Sequence, residues 1–161
     1  MSIQPIRRAL ISVSDKVGLD KFVPFIKRNN ITVISSGGTR RALQSLGVSV
    51  IPIDQVTGNP EAFGGRMKTL SFQVSSALLF RRGLEEDEIQ AAKMGIEPID
   101  LVICNLYPFS DVVARGGHFD EKIENIDIGG PTLVRASAKN FAHVCVLVNP
   151  DDYSVFLEEY T

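Results

Sequence analysis

The sequence predicts an α/β fold in three layers, with a mostly parallel central sheet flanked by helices. Three observations carry this. Short apolar runs alternate with amphipathic segments along all 161 residues. The runs are near-continuous in apolar character rather than cleanly alternating, as strands covered on both faces require. The junctions where a run gives way to a helix are rich in Ser, Gly and Thr, the residues of turns and helix entrances.

Taken in order, "RRALISVS" (7–14) is a short apolar strand with a polar end. "KVGLDKFVPFIKRN" (16–29) has helical spacing at Leu19, Phe22, Val23 and Ile26, with Pro24 in or near the first turn. "ITVIS" is a second strand, "GGTRRALQSLG" a short helix closed by Gly47, and "VSVIPI" a third strand. Residues 54–70, "DQVTGNPEAFGGRMKTL", hold too much Gly, Pro and Asn for a helix and read as a long loop. "SFQVSSALLF" is a strand or a buried helix. "GLEEDEIQAAKMG" is a surface helix whose acidic residues sit at the end the helix dipole favours. "PIDLVICNLYPF" is the strongest central strand, ended by Pro108. "FDEKIENI" is a helix, and "NIDIGGPTLVRASAKN" (125–140) a helix entered through Gly129 and Gly130 with Pro131 in its first turn. "HVCVLVNP" is the last strand. "DDYSVFLEEYT" starts a helix that looks cut short, with Asp151 or Asp152 as its cap.

The composition, 44% hydrophobic with a formal net charge of −2, suits one domain over residues 1–161 and gives no basis for a nucleic-acid surface. Basic residues cluster locally, in "IRR", "TRR", "GRMK" and "FRR", as solvated surface or as partners for a small anion. Cys104 and Cys145 lie in apolar runs and read as buried thiols of a reducing compartment; no metal-ligand spacing is present. No apolar run approaches a membrane span and no secretory h-region opens the chain, so the expected location is the cytoplasm.

In parallel sheets, ligands bind beyond the carboxyl ends of the strands. Here those ends read "SVSDK", "SSGGT" and "CNLYPF". Backbone N–H groups at Gly37 and Gly38, the hydroxyls of Ser36 and Thr39, and the helix dipole suit an anion. Ser12, Ser14 and Lys16 offer the same at the first strand, with Arg66, Lys68 and Thr69 from the long loop and Asn105 from the central strand. The glycine spacings of the nucleotide P-loop and of the dinucleotide fingerprint are absent, so the expected ligand is a monophosphate. Lys68 reads either as a solvent-exposed lysine or as a donor. Tyr107 is structural or a donor to a developing oxyanion. Asp127 is cap-like or a proton acceptor. Gly129 and Gly130 allow close approach. A straight helix from 131 to 139 separates its ends by about 12 Å, so Asp127 and Lys139 meet across one ligand only if the chain bends.

At these residues the chain resembles the inosine monophosphate (IMP) cyclohydrolase domain, the N-terminal part of the bifunctional purine-biosynthesis enzyme whose other domain is a transformylase. "ALISVSDKVGL", "SSGGTRRAL", "VTGNPEAFGGRMKTL", "PIDLVICNLYPF" and "IENIDIGGPTLVRASAKN" match that family's blocks in order, over nearly all of residues 8–153. The resemblance implies a methylglyoxal synthase-like fold and closure of the formylated carboxamide nucleotide FAICAR to IMP with loss of water, without a metal or other cofactor. Lys68, Tyr107, Asp127 and Lys139 match residues associated with that step. Ser14, Lys16, Ser36, Gly38, Thr39 and Arg66 match the phosphate and ribose side. It further implies that Asp127 and Lys139 converge through a short or bent helix, and that the chain is a homodimer. The transformylase domain is absent, which leaves room for association with a separate transformylase.

One block departs. Where the family reads close to "KTLHPKIHGGILARR", this chain reads "KTLSFQVSSALLFRR", with Ser71 and Ser75 in place of two histidines and Phe72 in place of proline. The expectation is an altered pocket wall beside Lys68. Two alternatives follow: a non-catalytic nucleotide-binding or regulatory module, and a lyase acting on a small phosphorylated sugar.

Overall fold

The computed structural model describes residues 5–160. Five strands, β1 (Arg8–Ile11), β2 (Thr32–Ser35), β3 (Val50–Pro52), β4 (Leu101–Ile103) and β5 (Cys145–Leu147), form one parallel sheet in the order β3-β2-β1-β4-β5. The chain lays β1 in the middle, builds outward through β2 and β3, then returns to the other side of β1 for β4 and β5. The order therefore reverses between β1 and β4, and a sheet of this kind opens a crevice at that point.

The nine helices among the described residues are α1 (Phe22–Arg28), α2 (Gly37–Ser45), α3 (Ile53–Thr57), α4 (Phe72–Leu79), α5 (Glu85–Lys93), α6 (Phe109–Ala114), α7 (Phe119–Glu124), α8 (Gly129–Lys139) and α9 (Asp152–Tyr160). Strand residues alternate between two cores. Ala9, Ile11, Val33, Leu101 and Ile103 pack with Phe22, Phe25 and Ile26 of α1, Leu43 of α2 and Tyr153 of α9. Leu10, Ile34 and Val102 pack with Ile53 of α3, Val74 and Leu78 of α4, and Leu133 and Ala136 of α8. Both faces are buried, which is why the strands read as near-continuous apolar runs. The first core is finished by aromatic contacts: Phe22 and Tyr153 meet edge to face with ring centroids 5.0 Å apart, and Tyr160 meets Phe25 at 5.1 Å.

The expected three-layer parallel fold is therefore the observed one. Four local differences have physical reasons. Residues 53–57 are helical, so the long loop is shorter than expected; Gly58, with φ of 70°, ends that helix. "SFQVSSALLF" is a helix because the Ser71 hydroxyl accepts from Val74 N at 3.0 Å and caps it. Residues 109–114 form α6 directly after Pro108, which stands at its N-cap. The turn before α9 is held by Asn149, whose Oδ1 accepts from Asp151 N at 3.1 Å.

Candidate active site

The carboxyl ends of β1, β2 and β4, the 61–70 loop and the 123–130 segment enclose a cavity of about 540 Å³. It lies at the point where the strand order reverses. Ser12, Ser14, Lys16, Ser36, Gly37, Gly38, Thr39, Arg66, Lys68, Thr69, Asn105, Tyr107, Asp127, Gly129 and Gly130 all line it. The structure thus brings together every site residue expected from the sequence except Lys139.

Some of these side chains build the cavity and others face it unengaged. Thr39 Oγ1 donates to Val13 O at 2.9 Å and accepts from Val13 N at 3.2 Å, so its hydroxyl joins the start of α2 to the end of β1. Asn105 Oδ1 accepts from Ser14 N (2.6 Å) and Asp15 N (2.9 Å), and its Nδ2 donates to Asp15 O (2.7 Å). Asn105, expected as a ligand group, lines the cavity and also fixes the 14–15 loop. Ser36 occupies the N-cap position of α2 with extended backbone, and its side chain makes no cap bond. The first N–H groups of α2 therefore point at the cavity without a side-chain partner from Ser36, and an anion placed there meets both donors and dipole. Lys16 Nζ donates to Ser14 O at 2.8 Å and comes within 3.8 Å of where a Cβ on Gly38 would lie. Lys68 Nζ approaches the same position on Gly37 at 3.7 Å. Two ammonium groups flank the glycine pair.

Elsewhere on the wall, Asp127 Oδ1 accepts from Gly130 N at 2.8 Å, and Oδ2 accepts from Tyr107 N at 3.4 Å. The carboxylate is thus a cap for α8 and lines the cavity as well; its two oxygens offer about four acceptor positions, so both roles fit one group. Close approach explains the two glycines beside it. A Cβ on Gly129 would lie 2.6 Å from Thr69 Oγ1, and one on Gly130 would lie 2.6 Å from both Asp127 Oδ2 and Leu106 Cδ2. Cys104 is buried at the cavity floor. Burial, with the Asp127 charge adding to it, pushes its thiol up to about 12.

Two expectations need correction. Helix α8 runs unbroken from Gly129 to Lys139, so the expected bend is absent. Ten rises of 1.5 Å put Lys139 about 15 Å from the helix entrance, and it does not line the cavity of its own chain. The altered residues 71–77 were expected to change the wall beside Lys68. The lining runs through Leu70 and resumes at Cys104. Helix α4, which holds Ser75 and Ser76, packs against α8, and Phe72 is 62% exposed.

Sequence reading missed the rim. Ile123, Glu124, Ile126 and Ile128 also line the cavity. The guanidinium of Arg66 is paired with the Glu124 carboxylate, joining the 61–70 loop to the end of α7. Only the fold places these segments together, and no local signal announces it.

Among the described residues, no cluster of three metal-ligating side chains occurs, and no helix is long and apolar enough to cross a membrane.

This sheet, with its cavity at the reversal point, defines a parallel α/β domain whose cavity is lined by lysines, hydroxyls and the glycine entrance of a helix. Residues 18–132 match the model of the MGS-like domain, and the chain belongs to that family, as a close relative of the N-terminal domain of the bifunctional PurH proteins. It is 51% identical over 150 residues to the bifunctional purine biosynthesis protein PurH of Cutibacterium acnes (strain DSM 16379 / KPA171202), covering 93% of this chain and 29% of that protein. It is 48% identical over 153 residues to the PurH of Persephonella marina (strain DSM 14350 / EX-H1), covering 95% and 30%. The chain therefore spans about three tenths of the length of these relatives. Among solved structures, the crystal structure of ForH superposes with a TM-score of 0.79 at 36% identity, covering 94% of this chain and 76% of that one.

Proposed function

We propose that the chain is an IMP cyclohydrolase, closing FAICAR to IMP with loss of water, in the cytoplasm and as a homodimer. The observation that carries this is the placement of Lys68, Tyr107 and Asp127 around one cavity that the anion donors of α2 also line. The relatives' names supply the purine-pathway context.

The cavity suits the reaction step by step. The 5′-phosphate meets the N-terminus of α2, with Ser14, Ser36 and Lys16 around it. Both reacting groups belong to one molecule, so holding the cyclising rotamer removes most of the entropic cost. The carboxamide nitrogen attacks the formyl carbon and forms the new C–N bond. An amide nitrogen is a poor nucleophile because its lone pair is delocalised, and Asp127 accepts the proton it loses. The formyl oxygen gains the negative charge, which Lys68 and Tyr107 stabilise. That oxygen takes up two protons, the one lost by the carboxamide nitrogen and one from the formamide nitrogen, whose lone pair forms the C=N bond as the C–O bond breaks, and it leaves as water. Lys139, being remote from its own cavity, contributes in this reading from the second copy of the dimer. Association with a separate transformylase would supply the formylated substrate.

The test is to supply FAICAR to the purified chain and follow IMP by absorbance, with Asp127→Ala and Lys68→Ala as controls. Turnover that both substitutions abolish supports the reading. Tight nucleotide binding without turnover would replace it with a binding module, and product from a small phosphorylated sugar would replace it with a lyase.

A further inference from the structure

We propose that Glu61 is the positioning residue for Lys68, holding its ammonium group at the cavity wall before a ligand arrives; the consequence for turnover rests on the cyclohydrolase reading. Glu61 does not itself line the cavity. It reaches the site through Lys68, with Oε1 3.2 Å from Nζ.

The backbone is shaped for this pair. Ala62 and Met67 form an isolated antiparallel bridge, with Ala62 N donating to Met67 O at 3.0 Å and Met67 N to Ala62 O at 3.2 Å. Glu61 and Lys68 flank the bridge and are thereby set beside each other. The turn that closes it places three successive residues in the left-handed region, Phe63 (φ 56°), Gly64 (64°) and Gly65 (96°). Phe63 is a non-glycine residue there, and with its side chain 80% exposed it gains no packing in return. Gly65 is required twice, by its φ and by proximity. A Cβ on it would lie 2.8 Å from Glu61 Oε1 and 2.9 Å from Lys68 Cε. A side chain at 65 would drive the two charged groups apart.

The pair has a direction as well as a partner. The Lys68 side chain is 27% exposed and that of Glu61 46%, so the carboxylate approaches from the solvent side. The ammonium lies toward Gly37 at the entrance of α2. A lysine stem has four rotatable bonds, and an unpaired one samples many of their combinations. Glu61 restricts that freedom, so Lys68 is already placed when a ligand enters.

The test combines a spectroscopic and a kinetic arm. Lysine labelled with 13C at Cε reports Lys68, assigned through Lys68→Arg. In the unchanged chain the Lys68 signal is expected to stand apart from those of exposed lysines. Glu61→Gln is expected to collapse it onto them and to lower FAICAR kcat/KM about tenfold or more, while Glu61→Asp retains part of both. Circular dichroism of each variant checks that the fold is kept; should Glu61→Gln not fold, Glu61→Asp and its graded shift decide. An unmoved Lys68 signal in a folded variant overturns the proposal, as does turnover within twofold of the unchanged chain. Should no form of the protein turn over FAICAR, the cyclohydrolase reading fails, and the Lys68 signal alone decides the role of Glu61.

Discussion

Asn105 holds Asp15 by both ends of its peptide unit, accepting from its N–H at 2.9 Å and donating to its carbonyl at 2.7 Å. A third bond, from Ser14 N at 2.6 Å, completes the grip. The end of β4 thereby sets the loop that carries Ser14 and Lys16. Asn105→Ala removes all three bonds while leaving the strands intact. At roughly 1 kcal/mol for the part-buried bond, and less for each of the two exposed ones, the expected loss is about 2 kcal/mol in urea unfolding. IMP affinity by calorimetry is expected to weaken about tenfold, because the phosphate loop is no longer held in place. An unchanged affinity would show that the loop is set by other contacts.

Asp127 accepts from Gly130 N at the start of α8 and, in the proposed reaction, is also the proton acceptor; two substitutions separate these roles. Asp127→Asn keeps an oxygen for Gly130 N, so stability is expected to stay within a few tenths of a kcal/mol; Asp127→Ala loses the cap and about 1 kcal/mol. Both lose the proton acceptor and are expected to lower FAICAR turnover by about 10²–10⁴. Thermal melts beside steady-state rates give the two readings. Retained turnover in Asp127→Asn would assign Asp127 to the cap alone.

Arg66 and Glu124 compete with the ligand for one another. The hydrogen bond from Arg66, and then its charge, hold the Glu124 carboxyl below its ordinary range. A depressed carboxyl contributes pairing that is complete above its unfolded value and fades as pH falls through the lower folded one. At neutral pH the pair is therefore formed, and added salt weakens it because both partners are solvated. Glu124→Gln frees Arg66 for an anionic ligand. Inorganic phosphate and IMP are expected to bind several-fold tighter at low salt, by calorimetry, with an unchanged melting temperature. Weaker binding would assign Glu124 a direct ligand contact instead.

Cys104 lines the cavity yet is expected to be inert. With its thiol raised to about 12, by burial and then by the Asp127 charge, the reactive thiolate is scarce at pH 8. Iodoacetamide at pH 8 is expected to leave Cys104 unmodified in the folded protein and to alkylate it fully in urea, as mass spectrometry would show. Rapid native alkylation would mean the cavity floor opens.

The fold was legible because the signals that set it are local. Leu10, Ile34 and Val102 sit in continuous apolar runs, and Ser36 and Gly37 mark a strand giving way to a helix. What escaped were features set by distant partners. The Arg66–Glu124 pair joins residues 58 positions apart. Helix α6 follows a proline that reads as a terminator. The role of Asn105 depends on Asp15, 90 residues away. The strand ends and the family resemblance together named the residues of the cavity, and the structure shows which of them bond to the backbone around it.

Lys139 gives the sharpest test of the proposed dimer. It closes the last turn of an unbroken α8, is exposed, and lies about 15 Å from the entrance beside Asp127. A part in the reaction therefore requires that it enter the cavity of a second copy. A twofold dimer makes this countable. Asp127→Asn and Lys139→Ala chains are each expected to be inactive alone. Mixed in equal amounts and allowed to exchange, half of the dimers are heterodimers. Each heterodimer holds one site with Asp127 from one chain and Lys139 from the other, beside one site lacking both. Turnover is expected to return to about a quarter of that of the unchanged protein, with size-exclusion chromatography confirming the dimer. Recovery near zero in exchanged dimers would place Lys139 in its own chain's chemistry. Full activity of the Lys139→Ala chain alone would remove it from the site entirely.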